Sequence, residues 1–196
     1  MLIEPETQAG NQDAVGAWNE QQEKAWGYLP NYAGLFASRP DVAEAWTHLN
    51  LTVRGGMDRR RFELATIAAA RARSSTYCLA AHSKFLRDIC RDEPAMLAMA
   101  ADPTGSTLGP VDEAVIGFAA KAAVAPASID DEDVARLHEQ GLSDADVADV
   151  VFAVAARCFF ATVLDAGGAE PDPQLGDIFE PDIRARLVVG RPFAAE

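Results

Sequence analysis

The chain has 196 residues, of which 49% are hydrophobic and 24% charged, with a formal net charge of −13 at pH 7. That is enough apolar material for a buried core, and the acidic balance argues against nucleic acid as a partner, because phosphate binding needs a basic footprint. No run of residues reads as the roughly 20 apolar positions of a membrane span, so no membrane partner is expected.

Alanine is abundant and β-branched runs are scarce, which makes helix the expectation throughout. Residues 1–10 read as a lead-in; they carry neither a basic nor an apolar targeting stretch. Asn11 or Asp13 starts a helix to about Gly27, with Val15, Trp18 and Trp26 inward. Pro30 interrupts, and Tyr32–Phe36 reads as one or two short turns. Pro40 opens the next helix, where Val42, Trp46, Leu49 and Val53 form a face to be buried and Gly55-Gly56 a stop.

Asp58 caps a helix to about Arg73, and Ser75 restarts the chain as an N-cap whose hydroxyl is expected to accept a bond from the first turn. The helix from Thr76 to about Cys90 presents Cys78, His82, Phe85 and Ile89 inward. A short helix near Pro94, another from Pro110 to Pro126, and one over Asp130–Gln140 follow. Ser143, with Asp146 three residues on, caps the most apolar helix. Val147, Val150, Val151, Val154, Cys158 and Ala161 are its stripe, and Gly167-Gly168 its end. The Pro- and Asp-rich segment 169–196 reads as a wrap or arm. The expectation is a single all-α domain over 1–196.

The chemistry concentrates between Glu63 and His82. Cys78 falls in the first turn of its helix, where the dipole favours an anion. His82 is four residues later on the same face. A helix start and a neighbouring imidazolium both favour thiolate, the reactive form of cysteine. Glu63, on an apolar face, needs a partner. Arg71 and Arg73 close the preceding helix, within a basic cluster that also holds Arg54, Arg59, Arg60 and Arg61. That cluster reads either as salt bridging and subunit contact or as a raised local potential. Cys90, twelve residues past Cys78, lies roughly 18 Å along the same helix and cannot pair with it. Cys90 and Cys158 read as core, and three cysteines, an odd number, suit a reducing, cytoplasmic setting. Glu63, Cys78 and His82 lack a second spaced ligand pair, so no metal is expected.

Glu63, eleven residues, Ser75-x-x-Cys78, three residues and His82 resemble the core of the carboxymuconolactone decarboxylase/alkylhydroperoxidase D-like superfamily. Leu29-Pro30-Asn31, Ser38-Arg39-Pro40 and Gly141-Leu142-Ser143-Asp144 resemble flanking parts of its peroxidase-related subgroup, so that the family-like region spans 27–168. The resemblance implies an alkylhydroperoxidase D-like helical fold and a homo-oligomer. It implies Cys78 as the thiol that attacks a hydroperoxide, His82 as its base or relay, and Glu63 as the group that orients the histidine, with no cofactor. Ser75 stands where the family has the first cysteine of Cys-x-x-Cys, and Tyr77 where some members have a histidine. An external thiol or another subunit then has to reduce an oxidised Cys78. Two other readings stand beside the peroxidase-related oxidoreductase: a cofactor-free decarboxylase or isomerase using His82 and Glu63, and a catalytically lapsed oligomeric binding protein.

Overall fold

The computed structural model describes residues 1–195. Helix α3 (Arg59–Ala72) is the axis of the fold. Every residue from Phe62 to Ala70 on it is buried. An ordinary amphipathic helix buries one stripe; α3 is enclosed because neighbours pack on it from several sides. These are α4 (Thr76–Asp88), α6 (Pro110–Val124) and α8 (Asp144–Gly167). Its five alanines between Ala65 and Ala72 let those helices approach closely.

The remaining elements form an outer layer. They are α1 (Gln12–Trp26), a 3-10 turn at Ala33–Phe36, α2 (Pro40–Gly56), α5 (Glu93–Ala101), α7 (Asp131–Glu139), α9 (Pro173–Asp177) and α10 (Pro181–Leu187), with a second 3-10 turn at Pro126–Ser128. The described residues contain no strand. The all-helical expectation therefore holds, and most of the boundaries read from capping residues fall within a residue or two of those observed. The Asp58 carboxylate accepts from Arg61 N at 2.8 Å, and Asp130 and Ser143 each head a full capping box. Gly27 and Gly168 close α1 and α8 in the left-handed conformation, which a side chain would strain.

Several expectations about faces fail. Leu49 is 48% exposed and Ile89 56% exposed. Leu49 lies on the outer side of α2, where Ala43 and Trp46 are buried instead, and Ile89 lies one residue past the end of α4. On α8, Val151 is exposed and Cys158 only half-buried, while Ala153, Ala156, Arg157 and Phe160 are buried. The other four residues of the expected stripe, Val147, Val150, Val154 and Ala161, are buried, so the inward side of α8 is the one read from its periodicity. By length and composition α8 also qualifies as a membrane span, contrary to the sequence reading. Here it packs against α2, α3 and α6.

Ser75 occupies the N-cap position of α4, but its hydroxyl makes no cap bond. The side chain is fully buried, and its Oγ has no partner among the described residues. The junction is instead shaped by Ser74, at φ 56°, and by Ser75 N, which donates to Ala70 O at 2.9 Å. Segment 169–195 wraps its own chain: Leu175, Phe179 and Leu187 are buried, and α10 packs on α4 and α5. Val189 N and Gly190 N both donate to Thr76 Oγ1, at 3.1 and 2.9 Å. Gly190 passes so close to the Ser74 carbonyl that a Cβ there would collide with backbone.

Candidate active site

The basic cluster divides by function. Arg60 bridges Asp92 at 2.6 Å and Asp112 at 2.8 Å, tying α3 to the starts of α5 and α6. Arg61 reaches Asp146 at 2.5 Å, at the start of α8. These pairs fix how α3 sits among its neighbours. Arg59 points the other way, towards Glu63 one turn on, with Nε 2.6 Å from Oε1.

Glu63 is fully buried, and its second oxygen, Oε2, lies 2.5 Å from His82 Nδ1. A carboxylate at that distance accepts only if Nδ1 carries the proton. Burial pushes the Glu63 carboxyl up, but the His82 ring on one oxygen and Arg59 on the other outweigh it and hold the group below the usual range. Burial, seconded by Arg157, pushes His82 down to about 4. At neutral pH the ring is therefore uncharged, protonated on Nδ1, with Nε2 available as a base. The ring is held edge-on by Phe62 and Phe85, with centroids at 6.0 and 5.5 Å.

This corrects one expectation. An imidazolium was to favour the Cys78 thiolate, yet His82 carries no charge to lend at neutral pH. Arg71 and Arg73 do not supply it either. They reach Met99 O at 3.4 Å and Thr162 Oγ1 at 3.5 Å, and neither borders the cavity described below. The cation at the sulfur is Arg157 of α8, whose Nη1 lies 3.5 Å from Cys78 Sγ. Arg157 is 4% exposed, and its guanidinium lies 5.6 Å from the ring centroids of both Trp46 and Phe160. Trp46 and Phe160 stack on each other, 4.8 Å apart and 12° from parallel. The sequence held a signal for this residue: Arg157 is the only basic side chain in the 24 residues of α8. A cation on the apolar stripe of a helix is costly unless it has a partner.

Glu63, Cys78, His82 and Arg157 border one cavity of about 300 Å³. Eight aromatic side chains line it, including all three tryptophans. Helix α1 brings Trp18, Gln22 and Trp26; α2 brings Trp46 and Arg54; α4 adds Tyr77 and Phe85. Trp26 Nε1 donates to Tyr32 OH at 3.0 Å, and Tyr32 donates to Gln22 Oε1 at 2.5 Å. Tyr77 is buried with its hydroxyl donating to Asp172, whose other oxygen accepts from Asn31 N at 2.8 Å. Burial, with Asp172 close by, raises Tyr77 far above the usual phenol range, and burial raises Asp172 as well. Tyr77 therefore stays protonated; its hydroxyl anchors segment 169–195 behind the site.

Three of the five residues singled out from sequence, Glu63, Cys78 and His82, thus meet in the cavity. Tyr77 lines it with its ring. Ser75 does not reach it. Cys90 is half-buried beyond the end of α4, and Cys158 is half-buried with its thiol 3.8 Å from Ala123 O in α6; neither lines the cavity.

Residues 40–106 match the model of the Carboxymuconolactone decarboxylase family. No curated protein matches the chain. Among solved structures, the chain is similar to an uncharacterized peroxidase-related protein from Ralstonia eutropha JMP134 with an alkylhydroperoxidase AhpD core. The TM-score is 0.75 at 23% identity, over 88% of this chain and 92% of that one. A peroxidase-related protein from Silicibacter sp. TM1040 gives 0.77 at 19% identity, over 89% and 93%. The debrominase Bmp8, solved with 2,3,4-tribromopyrrole, gives 0.71 at 17% identity, over 95% and 96%. At these identities the structures speak for the fold. Residues 40–106, the stretch similar to the Carboxymuconolactone decarboxylase family, thus hold Arg59, Glu63, Cys78 and His82, and the chain has the helical fold of alkylhydroperoxidase-like proteins.

Proposed function

We propose that the protein is a thiol oxidoreductase that reduces a hydroperoxide at Cys78. The observation that carries this reading is the pairing of a buried Cys78 sulfur with a buried Arg157 guanidinium, in a cavity that also holds the Glu63–His82 pair. In the first step His82 Nε2 takes the thiol proton, and Arg157 stabilises the thiolate. The sulfur attacks the distal peroxide oxygen, the O–O bond breaks, and the proton passes from His82 to the leaving alkoxide. The products are an alcohol and Cys78 sulfenic acid. Glu63 and Arg59 hold the His82 ring in the tautomer that allows this transfer.

Neither Cys90 nor Cys158 lines the cavity, which favours an external thiol as reductant. One thiol condenses with the sulfenic acid to give a mixed disulfide and water; a second displaces it, giving an external disulfide and the Cys78 thiol. The neutral His82 beside a carboxylate also suits acid–base chemistry on a carbon acid, the decarboxylase or isomerase reading. That route leaves Cys78 unchanged.

The deciding experiment is mass spectrometry of Cys78 after stoichiometric hydroperoxide, with a sulfenic-acid trap, together with turnover in the presence of a dithiol. Trapped sulfenic acid at Cys78, and loss of turnover in Cys78→Ser, are expected. An unmodified Cys78 would overturn the oxidoreductase reading in favour of the acid–base one.

A further inference from the structure

Arg157 is more than 90% buried, and no carboxylate among the described residues lies within ion-pair distance of it. Its Nη1 is directed to the Cys78 sulfur, while its Nε is buried without any partner. Nε is enclosed, so Nη2, which makes no bond to the described residues, is the nitrogen left to take an acceptor. An N–H of a permanent cation is a donor that a carboxylate oxygen accepts in a charge-assisted bond. A buried cation without a counter-ion is unfavourable as it stands and becomes satisfied when an anion arrives.

The surroundings point the same way. The cavity wall carries Arg54, Arg59 and Arg157 against the single carboxylate of Glu63, and Arg59 is already committed to that carboxylate. A locally cationic chamber inside a chain of net charge −13 is a built feature, not a reflection of composition. The rest of the wall is mainly aromatic, with the stacked pair Trp46 and Phe160 beside the guanidinium. Rings lining a slot of about 300 Å³ match a flat guest with one polar end.

We propose that Arg157 is the specificity residue for a single-ring aromatic carboxylate, one carboxylate oxygen accepting from Nη2 and the ring among the aromatic walls beside Cys78. The placement of the ring next to the sulfur rests on the reading of Cys78 as the reacting group; the binding does not. Helix α8, and with it Arg157, lies outside residues 40–106, so selectivity and thiol chemistry come from separate parts of the chain.

The test uses the full chain with Cys78→Ser, which prevents oxidation, titrated with benzoate, benzamide and cyclohexanecarboxylate and followed by tryptophan fluorescence and calorimetry. Benzoate is expected to bind at least about tenfold tighter than its neutral isostere benzamide, and several-fold tighter than the saturated acid. Arg157→Met should remove the preference for benzoate over benzamide. If that variant does not fold, the three-ligand comparison with Arg157 intact decides alone. Equal affinity for benzoate and benzamide, or no saturation by either below about 10 mM, overturns the proposal. Benzoate binding in a protein whose Cys78 resists peroxide would remove the oxidoreductase reading and leave this site standing; the reverse result would remove only the site.

Discussion

Arg157 Nη1 lies 3.5 Å from Cys78 Sγ, joining residues 79 positions apart in the chain. The contact sets the electrostatics of the candidate active site, because it is made by a permanent cation. Histidine activation would depend on pH, and His82 is held neutral down to about 4.

Removing that cation should slow the thiol. In Arg157→Gln, alkylation of Cys78 by iodoacetamide at pH 7 is expected to fall about tenfold. Arg157→Lys should retain part of the rate, as a point charge without the fork. His82→Gln should change this rate less than Arg157→Gln does. The opposite ranking would return the activating role to the histidine.

The buried neutral histidine also makes a prediction about stability. An unfolded histidine titrates near 6.5, whereas His82 in the folded chain titrates near 4. Between these values the unfolded chain binds a proton that the native chain does not. Stability therefore falls as pH drops through this window, and the linkage vanishes above about 6.5. Glu63, held below its ordinary range, adds its own loss only at lower pH. Urea unfolding at pH 7 and pH 5 should show His82→Gln losing less stability than the native chain, by on the order of 2 kcal/mol. An identical loss in both proteins would mean that His82 is already protonated at pH 5.

Ser75→Cys tests the resolving step. Ser75 and Cys78 are three apart at the start of α4, where Cα atoms lie roughly 5–6 Å from each other, within disulfide reach. The native hydroxyl makes no cap bond, so no cap is lost by the change. Oxidation should then give a 75–78 disulfide, with less overoxidation and faster turnover on a dithiol. Peptide mapping and multi-turnover peroxide consumption report both. Formation of the disulfide without a gain in turnover would show that resolution does not limit the reaction.

Self-association is expected from the outer surface of α2 and α8. Leu49 and Leu51 on α2, and Val151, Phe152 and Phe159 on α8, are 41–55% exposed. Exposed apolar residues gathered on two helices that pack together mark an interaction surface. Sedimentation at micromolar concentration should return a multiple of 20.9 kDa, and Phe152→Glu should shift it towards the monomer. A native chain that sediments as a monomer removes the expectation.

The sequence by itself determined what depends on neighbours along the chain. Caps at Asp58, Asp130 and Ser143, the stops at Gly27 and Gly168, and the i, i+4 relation of Cys78 to His82 are all local, set by helix geometry and by side chains that bond their own first turn. Glu63 was legible as needing a partner because a carboxylate on an apolar face is otherwise too costly. Tertiary structure decided the rest. The stripe read for α8 held at Val147, Val150, Val154 and Ala161, but that Arg157 on this face meets Cys78 of α4 was decided only by packing. Burial then reversed the expected charge of His82, since desolvation depends on every element around a group and not on its spacing from a cysteine. The same packing buried Ser75 without a cap bond and folded segment 169–195 back onto Thr76 and Tyr77, contacts between positions more than 90 residues apart that no local pattern encodes.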